Sequence, residues 1–145
     1  MRLLLDAMCG GLRSYLRMCG YDAAYAIERG VEADDRLAAL ADAEDRRLVT
    51  RDAALAAGRA DAVLLESRDV REQLRELRAA GVSLSLAEPP TRCGACNGRL
   101  TAVDGPTPEG VPDPDEEAAF RCVDCGQYFW TGSHWDRVRE TLADL

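Results

Sequence analysis

Four cysteines restrict this chain more than any other feature. Cys93 and Cys96 form one C-x-x-C pair and Cys122 and Cys125 another, with 25 residues between them. Each pair points two thiolates at one ion, and two such knuckles complete a tetrahedral four-cysteine zinc site. The redox alternative needs a single pair opening a helix after a strand, and neither pair sits there. Disulfides suit an intracellular chain poorly. Four thiolates leave no open coordination position, so the zinc is expected to be structural. A ribbon with so few apolar residues needs its metal to fold. The other two, Cys9 and Cys19, fall on an apolar helix face and read as small core thiols.

Upstream of the knuckles the pattern alternates. MRLLLDA reads as a strand and CGGLRSYLRMCG as a helix with Leu12, Tyr15, Leu16 and Cys19 on one face. YDAAYAI is a second strand, and Asp34 is placed to cap the helix DDRLAALADAEDR. RRLVTRD, AALAAGRA and AVLLES give strand, short helix and strand; VREQLRELRAAG is an amphipathic helix, and VSLSL offers one more strand. Strand–helix alternation predicts an α/β, three-layer domain with a mainly parallel sheet. The prolines of LAEPPT mark a change of module, dividing residues 1–88 from residues 89–145. Within the second part, the stretch from Asp104 to Glu117 is a solvated loop, and SHWDRVRETLADL is a closing helix with Ser133 and Asp136 spaced as a capping box.

With 145 residues and 47% apolar content the chain can bury a core, which argues against wholesale disorder. No apolar run is long enough to span a bilayer, and MRLLLDAMCGG lacks a signal-peptide layout, so a cytoplasmic protein with no membrane partner is expected. All 18 basic residues are arginine. Without lysine there is no P-loop nucleotide site. The net charge of −8 disfavours loose electrostatic binding to nucleic acid, and leaves room for binding through a divalent ion and a few placed arginines.

Carboxylates recur at strand ends. Asp6 follows RLLL, Asp52 follows RLVTR, and Asp34 with Asp35 opens the helix before the third strand. In a parallel sheet these positions share the carboxyl edge, where open α/β folds place their sites. Taken singly each is a helix cap or a turn residue. Taken together they suit Mg2+ or Mn2+, because converging carboxylates need cations and hard oxygen donors prefer those ions. A metal-dependent phosphodiesterase uses this set. The lone histidine, His134, sits beside Tyr128, Phe129, Trp130 and Trp135, a cluster that either stacks bases or forms the ribbon's core and its seam with the first module.

The stretches LLDAMCGGLRSYLRMCGYDAAY, D-D-R-L from Asp34, LVTRD, CGACNGRL and CVDCGQYFWTGSHW resemble the Mut-seven C-terminal RNase domain family. That resemblance, which covers nearly the whole chain, implies a PIN-like nuclease domain followed by a zinc ribbon. It implies Asp6, Asp34 and Asp52 as ligands of a catalytic Mg2+ or Mn2+, with Asp35 the rival of Asp34 and Glu66 or Asp69 a fourth acid. It also implies RNA as substrate, structured RNA such as tRNA or rRNA included, and Arg13, Arg17 and Arg51 as phosphate contacts. The family's first helix usually reads close to G-K-L-A-R-W-L-R; here Gly11, Ser14 and Tyr15 replace its lysine, arginine and tryptophan, Arg13 adds a charge, and Thr131 stands where an arginine is common before G-S-H-W. The expectation is a metal-dependent ribonuclease; the alternative is a non-catalytic zinc-ribbon adaptor that binds RNA or protein, and a toxin-type nuclease is a third reading.

Overall fold

The structure is a computed structural model of residues 1–145. Four short strands, β1 (Arg2–Leu5), β2 (Asp22–Tyr25), β3 (Arg47–Thr50) and β4 (Val63–Leu64), form one sheet in the order β2-β1-β3-β4, parallel throughout. Between them run α1 (Arg13–Met18), which continues a 3-10 segment over Ala7–Leu12, then α2 (Asp34–Ala43) and α3 (Ala53–Ala57). The amphipathic α4 (Val70–Ala79) follows β4. A second, antiparallel sheet comprises β5 (Leu100–Ala102), β6 (Ala119–Cys122) and β7 (Tyr128–Trp130), and α5 (Ser133–Ala143) closes the chain. The α/β expectation with a parallel sheet and a cysteine-bearing ribbon is met. No helix is long and apolar enough to cross a membrane.

Period-two alternation in the strands builds two cores. Leu3, Leu5, Tyr25, Val49 and Val63 face one side, where the 3-10 segment brings Leu12 and α1, α4 and α5 bring Leu16, Leu74, Leu77, Val138 and Leu142. Leu4, Ala24 and Leu48 face the other, against Leu37 and Ala41 of α2. Because α5 contributes Val138 and Leu142 to the first core, the end of the chain packs on the same face as its first helix.

Three local expectations change. VSLSL forms no strand: Val82 is buried, yet Ser83 O accepts from the Tyr21 hydroxyl and Ala87 N donates to Met18 O, so this segment lies along the start of the chain instead of joining a ladder. Asp34 is not a cap. Ala33 holds that position without a side-chain bond, and Asp34 and Asp35 occupy the first turn, where their charge favours the helix dipole. At α5 the cap is Gly132, so Ser133 is already helical and the expected capping box does not form.

Candidate functional site

The cysteine centre is built from two near-identical turns. In the first, Cys93 N donates to Gly98 O and Asn97 N to Cys93 O; in the second, Cys122 N donates to Gln127 O and Gly126 N to Cys122 O. The residue after each second cysteine has positive φ, 72° at Asn97 and 78° at Gly126, which turns the chain back. Gly98 is required by space, since a Cβ there would lie 2.7 Å from Cys122 Sγ. The four sulfurs lie within 4.8 Å of one another, with 3.7 Å from Cys93 to Cys125 and 3.5 Å from Cys96 to Cys122. Zn–S bonds of about 2.3 Å in a tetrahedron require sulfur separations of ~3.8 Å, so the cage has the size of a zinc ion. Burial alone raises the Cys122 thiol, but hydrogen bonds from the Cys125 and Asp124 backbone and from neighbouring thiols carry it down to about 7. Burial raises Cys93, and burial with its thiol neighbours pushes Cys96 up to about 12, so the cage sheds its full set of protons only as a metal displaces them.

The knuckle also grips the first sheet. Asn97 Oδ1 accepts from Ala23 N at 2.9 Å and its Nδ2 donates to the Asp22 carboxylate at 2.7 Å, so one side chain caps an amide on the outer edge of β2. Arg17, 1% exposed, donates to Ala23 O at 3.0 Å, to Gly94 O at 3.0 Å and to Glu28 at 2.7 Å. It ties α1, β2 and the knuckle together, and its guanidinium faces protein.

The carboxyl edge of the sheet carries the aspartates. Asp6 directly follows β1 and Thr50 ends β3; the pairing of these strands, continued by Asp6 N donating to Val49 O at 3.0 Å, sets the two side by side. The Thr50 hydroxyl donates to Asp6 Oδ2 at 2.7 Å and accepts from Asp52 N at 3.0 Å. Asp6 Oδ1 accepts from Ala7 N, and Asp52 Oδ1 accepts from Ala54 N and Leu55 N as the cap of α3. Asp34 and Asp69 open α2 and α4, helices that follow β2 and β4 from that same edge. Unlike the sulfurs, no three of these carboxyl groups have ligand atoms within 4.8 Å of one another. They line an edge and do not form a closed cage.

Asp22 and Glu44, at other positions on the domain, are held by arginines: Arg46 bonds Asp22 at 2.8 Å and Glu44 at 2.7 Å, and Arg29 pairs with Glu44. At Asp22 burial opposes ionisation, but bonds from Arg46 and Asn97 outweigh it and hold the carboxyl at about 2; Arg29 and then Arg46 bring Glu44 to about 2 as well. Asp6, Asp34, Asp52, Asp69 and Glu66 have no arginine within ion-pair distance. Cys9 lies beneath this edge, pushed up to about 12 by burial first and by Asp6 second; burial likewise raises Cys19 to about 12, so both stay protonated.

A family model for the Mut7-C RNAse domain matches residues 1–142. The chain belongs to the Mut7-C RNAse domain family. No curated protein and no solved structure matches it.

In this Mut7-C domain the arginines divide. Arg51 is half-buried, reaches Glu66 O at 3.4 Å and leaves Nε without a partner. Arg13 is exposed enough to meet solvent, lying 4.9 Å from the Tyr25 ring centre and 3.9 Å from Glu28. Arg17, by contrast, is consumed by the fold. Sequence reasoning missed Thr50, whose hydroxyl links two acids; its place in the T-R-D triplet was the available signal. The aromatic cluster is the seam between the modules: Trp135 is 5% exposed, while Phe129 and Trp130 border a cavity of about 90 Å3 against Ser14 and Met18. His134 is exposed and makes no hydrogen bond.

Proposed function

We propose that this Mut7-C domain is a divalent-metal-dependent ribonuclease acting at the carboxyl edge of its parallel sheet, with residues 1–88 carrying the chemistry and residues 89–145 bracing it. The observation that carries the reading is the pair of acids set side by side at the ends of β1 and β3, Asp6 and Asp52, joined through the buried Thr50 hydroxyl. Like charges at one edge repel unless an ion joins them. Asp6, Asp34 and Asp52 would hold Mg2+ or Mn2+, and the donor set fits: hard oxygens, with Asp52 Oδ2 and both Asp34 oxygens accepting no hydrogen bond from the protein. Such an ion, when bound, lowers the pKa of attacking water and stabilises charge on the leaving oxygen.

The chain's own residues prepare that edge. Thr50 fixes the Asp6 carboxylate by donating to one oxygen, and the backbone amides of α3 fix Asp52. Orientation of this kind supplies positioning before substrate arrives. Arg51 and Arg13 flank the edge with cations suited to phosphate. RNA is the proposed substrate and the cytoplasm, where free thiolates persist, the proposed compartment.

Labelled single-stranded RNA is incubated with the zinc-loaded protein in Mg2+, in Mn2+ or with no added divalent ion, beside Asp52→Asn. Asparagine preserves the α3 cap, so the variant folds. Divalent-dependent cleavage that disappears in Asp52→Asn supports the reading. Equal cleavage by both proteins moves the centre elsewhere, and no cleavage by the folded, ion-loaded protein favours the non-catalytic adaptor.

A further inference from the structure

The geometry points to α4 as a track for the sugar–phosphate backbone of single-stranded RNA leading away from the carboxyl edge, an inference that rests on the ribonuclease reading for its substrate. Arg71, Arg75 and Arg78 are spaced four and three residues apart, so at ~100° per residue they fall within about 60° of one another on the helix. Arg68 precedes the Asp69 cap, extending the row to the helix start. Leu74 and Leu77 of the same helix enter the core beside the row. Arg71 and Arg78 are exposed and Arg75 is partly buried, so the row meets solvent at both ends, over ~10 Å of helix from Arg71 to Arg78.

Charge accounting leaves Arg68, Arg71 and Arg78 as the free cations of the row, with Arg75 spent on Glu72. Glu76 turns inward, accepting from Glu66 N at 2.9 Å and from Ser67 N at 3.4 Å. Glu72 is taken by Arg75. Arg68, Arg71 and Arg78 are exposed and form no ion pair or side-chain hydrogen bond, in a chain whose net charge is −8. Elsewhere arginines such as Arg2, Arg29, Arg46 and Arg139 are engaged by carboxylates. The row is also continuous with the acidic edge: Arg51, beside Asp52, donates to Glu66 O in the loop that leads into α4. A regular cationic row with no sequence-reading pocket beside it fits a polyanion's backbone and positions it without selecting bases.

The test measures binding of a labelled single-stranded RNA oligonucleotide with no added divalent ion, across a salt series, to the zinc-loaded protein and to Arg71→Gln/Arg78→Gln. Arg137→Gln on α5 serves as the control, and cleavage by each protein is recorded in Mn2+. Each lost phosphate contact lowers the slope of log K against log salt by about 0.7, so the double variant is expected to lose ~1.4 and the control nothing. An unchanged slope in the double variant, with wild-type cleavage intact, overturns the track and leaves the ribonuclease reading standing. Binding that depends on Arg71 and Arg78 without cleavage of any RNA supports the surface and overturns the ribonuclease reading. A wild-type protein that neither binds nor cleaves overturns both. Competition by polyglutamate as effective as by unlabelled RNA overturns RNA as the occupant.

Discussion

The Thr50 hydroxyl sits 2.7 Å from Asp6 Oδ2, and it is wholly buried at the end of β3. Donating to one strand's acid and accepting from the next residue but one, it makes the two strand ends a single unit. Replacing it by valine keeps the shape and β-propensity but leaves the Asp52 amide without an acceptor. Thr50→Val is expected to lose about 1–3 kcal/mol in urea unfolding. Divalent-ion affinity and cleavage should fall further than stability explains. Equal cleavage per folded molecule would remove Thr50 from the site.

Arg17 tests whether a family-matched arginine serves substrate or fold. Its three bonds are internal, one of them to Gly94 O across 77 positions of sequence. Arg17→Met retains the buried stem but strands the carbonyls of Ala23 and Gly94. A destabilisation of about 2–3 kcal/mol is expected, with RNA affinity of the folded fraction unchanged. A selective loss of RNA affinity at full stability would reverse the assignment.

Zinc should govern more than the ribbon. Asn97 follows Cys96 and its side chain seals Ala23 N, so chelation is expected to release the knuckle and with it the edge of β2. Hydrogen exchange read along the chain should show the Ala23 amide losing protection together with residues 93–98 upon chelation. Protection of Ala23 persisting in the metal-free protein would separate the two.

Acid should weaken the Arg46 network. Asp22 and Glu44 fall from ordinary values of 3.8 and 4.5 to about 2 in the folded protein. A depressed folded-state pKa gives stability that is present above the unfolded value and lost as pH falls towards the folded one. Urea midpoints should therefore decline from about pH 4.5 down to about pH 2, and Asp22→Asn should flatten part of that decline. A parallel decline in both proteins would assign acid sensitivity to other groups.

The zinc cage was legible because its chemistry lies in local spacing, and Asp6 and Asp52 because a strand end fixes where the next residue must lie. Arg17 was not legible: its burial depends on a carbonyl supplied by the ribbon, and no periodicity in α1 announces that. The failure of VSLSL has a similar cause. Alternation records which residues face the core, and Val82 does so, but ladder formation needs a free neighbouring strand, and this segment instead bonds to Met18 and Tyr21. At the helix starts, Asp34 and Ser133 sat one residue inside the true caps, Ala33 and Gly132, a shift that residue identity alone does not disclose.

The Asn97 clasp has a consequence for solubility. A parallel sheet of four strands has two open flanks, each a row of amides ready to template another chain. One flank is β4, only two residues long and so a poor template. The other is β2, where the knuckle caps the Ala23 amide and holds the Asp22 side chain. Cells short of zinc would therefore expose a hydrogen-bonding seam, and the protein made there would tend to aggregate edge to edge before it lost its core.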